Sequence, residues 1–132
     1  MNKRIRPRLA DLPGLLALVL IVASASAFAL PSNKWRLEFS GAAESDGEIV
    51  LAVTPDGGIP REIPVAVGKA DGENEIAGKA EAALRNAVGA DFHVERDDGE
   101  DVLVKRRWGR PRFNVELVDN SVDGVRLNLD QE

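Results

Sequence analysis

Apolar and polar residues alternate with a period of two over much of this chain, and one stretch between Asp71 and Gly89 breaks the rhythm. There Ile76, Ala77, Ala80, Ala83, Leu84, Ala87 and Val88 recur at the spacing of a single helical face. The flanks carry matching punctuation. Asp71 is placed to cap the N-terminus, Glu73 and Glu75 put negative charge in the first turn where the helix dipole favours it, and Gly89 suits the C′ position. Glu75–Lys79 and Glu81–Arg85 stand four apart in the favourable order. Because the stripe is mostly alanine, the predicted helix can lie close to a sheet. Its other face, with Glu73, Lys79, Glu81, Arg85 and Asn86, reads as solvated scaffold.

Strands are predicted on both sides of it. In Lys34–Ser40, Trp35, Leu37 and Phe39 oppose Lys34, Arg36 and Glu38, the pattern of a half-buried strand. Glu48–Thr54 is apolar on both faces and reads as the most central strand. Pro55-Asp56-Gly57-Gly58 is a strong turn signal that makes the next strand, Arg61–Val67, antiparallel to it. Pro60 and Pro64 lack ladder N–H groups, so that strand belongs at an edge or contains a bulge. After the helix, Asp91–Asp97 and Glu100–Arg107 form a hairpin around Asp97-Asp98-Gly99, with Phe92 opposite Val104, Val94 opposite Val102 and Glu95 facing Asp101. Phe113, Val115 and Leu117 give a further strand, Asn120–Gly124 a turn, and Val125, Leu127 and Leu129 the last strand. The order β-β-β-α-β-β-β-β with hairpin-length links predicts an α+β fold: a mostly antiparallel sheet with one amphipathic helix on one face.

The N-terminal pattern adds a leader. Lys3, Arg4, Arg6 and Arg8 precede an apolar or small run from Leu15 to Ala27, and Ala27-Phe28-Ala29 has the small–x–small form of a signal-peptidase site. The expectation is a signal peptide over residues 1–29, cleaved after Ala29 with Ala27 as the alternative, and one small domain over 30–132, periplasmic or secreted. The competing reading is a retained anchor, since Leu12–Leu30 stretches to about 18–19 residues, near the lower limit for a span. Without residues 1–29 the chain carries 13 Lys and Arg against 21 Asp and Glu, a net charge of −8, which argues against nucleic acid as a general partner. The chain has no cysteine, so disulfides, thiolate chemistry and lipoprotein acylation are excluded. An exported domain held by packing alone fits a bacterial envelope.

From Glu48 to Val118 the parts follow one another as a hydrophobic strand Ile63–Val67, a small acidic turn Asp71–Asn74, an alanine-rich helix Ile76–Val88, a hairpin Phe92–Val104 and a strand Phe113–Val118. This succession resembles, at the level of pattern, the small strand–helix–hairpin modules of repetitive bacterial surface proteins and phage tail proteins. The resemblance implies a structural or adhesive role without catalytic residues.

Candidate chemistry is sparse. His93 is the single histidine, so ordinary zinc sites are not available, and none of Ser32, Ser40, Ser45 or Ser121 sits in a nucleophile motif. No cofactor is expected. Asp97, Asp98, Glu100 and Asp101 cluster at a hairpin tip and Glu44, Asp46 and Glu48 at another turn, but adjacent acids do not reproduce the alternating ligands of a calcium loop. A small periplasmic hydrolase or calcium-binding protein using the Asp97–Asp101 turn is the alternative reading. The most unusual stretch is Lys105-Arg106-Arg107-Trp108-Gly109-Arg110-Pro111-Arg112. Charge runs are commonly solvated turns. Arg and Trp are also the residue types enriched at interface hot spots. Lys105, Arg106, Arg107, Trp108, Arg110 and Arg112 are therefore the candidate partner-binding residues of a non-enzymatic protein. The expected partner is an acidic protein surface, including a second copy of the chain. A phosphorylated envelope glycolipid comes second, because arginine forks bind phosphate, and nucleic acid last.

Overall fold

The computed structural model describes residues 30–132; the leader and cleavage site assigned to residues 1–29 lie outside the described residues. The elements are β1 (Lys34–Ser40), β2 (Gly47–Pro55), β3 (Arg61–Val67), α1 (Glu73–Val88), β4 (Phe92–Asp97), β5 (Asp101–Arg106), β6 (Phe113–Asn120) and β7 (Arg126–Gln131). The strand pairings are antiparallel, so the fold is α+β, mostly antiparallel sheet with one helix.

The strands do not form the single sheet that the pattern predicts. They divide into a four-stranded sheet ordered β4-β5-β1-β7 and a three-stranded sheet ordered β3-β2-β6. The six residues after β1 carry the chain from one sheet to the other, so β1 joins the later strands and β6 returns to the earlier ones. The helix contacts β3 in one sheet and β4, β5 and β1 in the other; it packs on both sheets rather than on one face of one. Alternating inner residues of both sheets meet Ile76, Ala77, Ala80, Leu84 and Val88 of the helix in one continuous core. Trp35 of β1 donates its indole N–H to the Phe113 carbonyl of β6 at 2.8 Å, which ties the two sheets together. The rings of Phe92 and Phe113 sit 4.5 Å apart at a tilted angle beside it.

Within the elements, the period-two readings of β1, β2 and β3 hold: Trp35, Leu37, Phe39, Ile49, Leu51, Val53, Ile63, Val65 and Val67 are buried. β2 is the middle strand of its sheet, and β3, with Pro64, lies at the edge. Other expectations are corrected. The helix N-cap is Gly72, not Asp71. Asp71 instead accepts the Gly68 N–H at 2.9 Å and the Lys79 ammonium at 2.5 Å. Glu75, freed from Lys79, accepts the Gly72 N–H at 3.0 Å. Gly89 ends the helix as its C-cap with φ −62°, in the right-handed region, so it does not use the left-handed freedom for which glycine was expected there. In the β4–β5 hairpin the loop is Asp98-Gly99-Glu100, and the pairs are Phe92 with Arg106, Val94 with Val104 and Asp97 with Asp101. Every pair is thus displaced by two residues, which preserves which side chains face the core. On β6, Phe113 and Val115 are buried, whereas Leu117, opposite Leu51, is 39% exposed, and the register shifts just beyond it, between Leu51 and Val50.

Candidate binding surface

The strand directions place the loops at two ends of very different character. At one end lie the β1–β2 loop, the β3–α1 loop, the β4–β5 tip and the β6–β7 turn. They are bound to each other by backbone hydrogen bonds from Ala43 to Asp71, Glu44 to Asp123 and Ala70 to Ala43. Glu44, Asp46, Asp71, Glu73, Asp98 and Glu100 make this end acidic. At the other end lie residues 30–33, the β2–β3 loop, the turn after the helix and the β5–β6 connection. Bonds from Asp56 N–H to the Arg112 carbonyl, Arg106 N–H to Asn33 and Arg107 N–H to Asp91 join them. Lys34, Arg61, Arg106, Arg107, Arg110 and Arg112 outnumber Asp56, Asp91 and Glu132 there.

The β5–β6 connection is a built turn. Arg110 N–H donates to the Arg107 carbonyl at 3.1 Å around Trp108 and Gly109. Gly109 has φ +83°, the conformation that the third position of a type II turn requires and that glycine adopts without a Cβ penalty. The arginines on either side hold the turn. Arg106 donates through Nη1 to the Arg110 carbonyl at 2.8 Å, Arg107 through Nε to the Gly89 carbonyl at 3.1 Å, and Arg110 pairs through Nε with Asp91 at 3.2 Å. Arg107 thereby also meets the carbonyl end of the helix, where a cation is favoured. Trp108 stands on this frame fully exposed, at 100%. Arg112 and Pro111 are exposed beside it.

Of the residues singled out in the sequence, Arg106, Arg107, Trp108, Arg110 and Arg112 share this end, whereas Lys105 stands apart. It lies on the outer face of the four-stranded sheet, where its ammonium pairs with Glu95 at 2.7 Å. That bond, with a smaller contribution from His93 at 3.1 Å, holds the Glu95 carboxyl below the usual carboxylate range. His93 is exposed.

Sequence reasoning missed three contributors. Arg85, read as scaffold, donates to the Val94 carbonyl at 3.1 Å and pairs with Glu81 at 2.9 Å. With Arg107, Gly89, Phe92, His93 and Val94 it lines a shallow hollow of about 370 Å³ at the helix C-terminus. Leu30 and Ile59, 79% and 85% exposed, share the end with Trp108. Ile59 was legible as a bulky apolar residue within a turn sequence, whereas the Arg85 site depends on the helix meeting β4 and leaves no local signal.

The acidic hairpin tip has a different fate from the one its composition suggests. Asp97 and Asp101 converge on Arg36 of β1, whose Nη1 lies 3.1 Å and 2.6 Å from their carboxylates, and Glu132 meets Nε of the same guanidinium. Glu132, Asp101 and Asp97, in that order, raise the Arg36 pKa above its ordinary value. Arg36 and Lys34 hold the Glu132 carboxyl down at about 2. Asp101 is 7% exposed and is the buried charge of the described residues. Among the described residues no group of three His, Asp or Glu side chains is arranged to hold a metal ion, and no helix is long and apolar enough to cross a membrane. Neither a family model nor a curated protein matches the chain.

Proposed function

We propose that this chain is an exported, non-enzymatic binding component of the bacterial cell envelope, and that it holds its partner through the Trp108 turn and the arginines around it. The observation that carries this reading is a fully exposed tryptophan on a turn fixed by hydrogen bonds. A large apolar side chain kept in water on a pre-ordered support loses little conformational freedom on binding, which is the property of an interface anchor. The cluster of arginines selects an acidic surface as its complement. The leader read in residues 1–29 and the lack of cysteine support the envelope as the place of action.

Affinity capture from an envelope extract, comparing wild type with Trp108→Ala, tests the reading. Trp108 touches no core residue, so the variant should keep its unfolding free energy to within about 0.5 kcal/mol while losing the captured material. If Trp108→Ala captures the same material in the same amount, the turn is not the contact surface.

A further inference from the structure

Three of the large exposed hydrophobic side chains, Leu30, Ile59 and Trp108, lie in segments at the same end of the molecule as Arg61, Arg107, Arg110 and Arg112. A Trp, an Ile and a Leu surrounded by cations match what sits at the headgroup level of a bilayer, where the ring is amphipathic and the arginines meet phosphate. We propose that this end docks on the surface of an anionic lipid bilayer, a proposal that rests on the reading of the Trp108 turn as the contact surface and names its partner.

The net charge of −8 over residues 30–132 does not oppose this, because the charge is segregated. The strands between the ends have seven to nine residues in β1, β2 and β3, and at about 3.3 Å per residue they hold the acidic loops roughly 20 Å away. That is more than twice the Debye length of about 8 Å at physiological ionic strength. An anionic surface therefore feels the arginines and little of the far acids, and the polarity orients the molecule with Trp108 towards the lipid. The hollow at the helix C-terminus is lined in part by Arg107 of this same end. Arg107 Nε is used by the Gly89 carbonyl, and the rest of its guanidinium is the donor that would meet a headgroup phosphate there.

The two tryptophans make the test direct, since Trp35 is 4% exposed and Trp108 is 100% exposed. The chain from Leu30 onward, as left by the expected cleavage after Ala29, is mixed with vesicles of phosphatidylcholine alone or with added phosphatidylglycerol, each carrying bromine-labelled acyl chains that quench tryptophan at short range. Trp108 emission should be quenched on the anionic vesicles and several-fold less on the neutral ones. Arg61→Glu with Arg112→Glu changes two exposed side chains outside the turn's hydrogen bonds, and should bring the anionic signal down to the neutral level with the melting temperature unchanged. Equal quenching on both vesicle types, or none on either, overturns the lipid assignment. Loss of envelope capture by Trp108→Ala without any vesicle quenching overturns it too and leaves a protein as the partner, whereas intact capture by that variant overturns the contact surface itself.

Discussion

Arg36 shows how much one side chain can organise that its own strand does not announce. In the sequence it is a polar residue alternating with Trp35 and Leu37. In the fold it gathers Asp97, Asp101 and Glu132 from three other parts of the chain. Arg36→Ala would leave Asp101 buried beside Asp97 with no counter-charge, and should destabilise the protein by about 3 kcal/mol, the lower end of the range for breaking a buried pair, because the guanidinium is partly solvated. Urea unfolding measures this, and replacing Asp101 by Asn in the same chain should recover part of the loss. The same cluster sets an acid response. The folded carboxyl of Glu132 lies at about 2, below its ordinary value. Its contribution to stability is therefore present above the unfolded carboxylate pKa, declines as pH falls below roughly 4.5, and is gone once pH passes through about 2. Melting temperatures recorded across that window should fall less steeply for Glu132→Gln than for wild type.

At the scale of single elements, the period and the punctuation of the sequence were readable wherever neighbours along the chain decide the outcome. The helix stripe, the buried faces of β1 to β3 and the edge position of a strand bearing Pro64 are of that kind. What could not be read depends on partners from far away. The hairpin register places Asp97 directly opposite Asp101, an arrangement that looks repulsive until Arg36 is seen across the sheet. Asp71 has the composition of a cap, yet its carboxylate is drawn to Lys79 and the Gly68 N–H, which also hold it below the usual carboxylate range. The β1–β2 crossing carries a testable constraint: Gly41 has φ +89°, and a Cβ there would run into the Gly124 carbonyl. Gly41→Ala should cost at least about 2 kcal/mol, combining the left-handed backbone penalty with that clash. An alanine chain as stable as wild type in chemical denaturation would show that the crossing can relax.

For the whole molecule, the α+β character and the antiparallel pairing were legible, because short links between alternating segments leave few other choices. The division into two sheets was not. It follows from the partners that β1 and β6 take across the core, and local pattern carries no record of them. The separation of charge into two ends was equally hidden. The sequence shows an acidic chain with one basic stretch, and only the antiparallel connections assign alternate loops to opposite ends, putting Arg61 and Ile59 at the same end as Trp108. A consequence at this scale is that the proposed binding to an acidic surface should weaken steeply with salt, since that proposal rests on exposed arginines within a Debye length of the partner. Dissociation constants that are flat between low and high ionic strength would mean the arginines only shape the turn.

The pairing of β1 with β5 and β7 bears on the order of events during biosynthesis. Arg36 and Glu132, 96 residues apart, belong to one cluster, and the first strand bonds on both sides to strands that are made near the end of synthesis. Such non-local closure makes folding slow and all-or-none in its last step. β5 becomes available to β1 before β7 does, so the sheet around Trp35, Leu37 and Phe39 is closed on both sides only once β7 is made. A chain built this way completes its four-stranded sheet only when β7 takes its place beside β1.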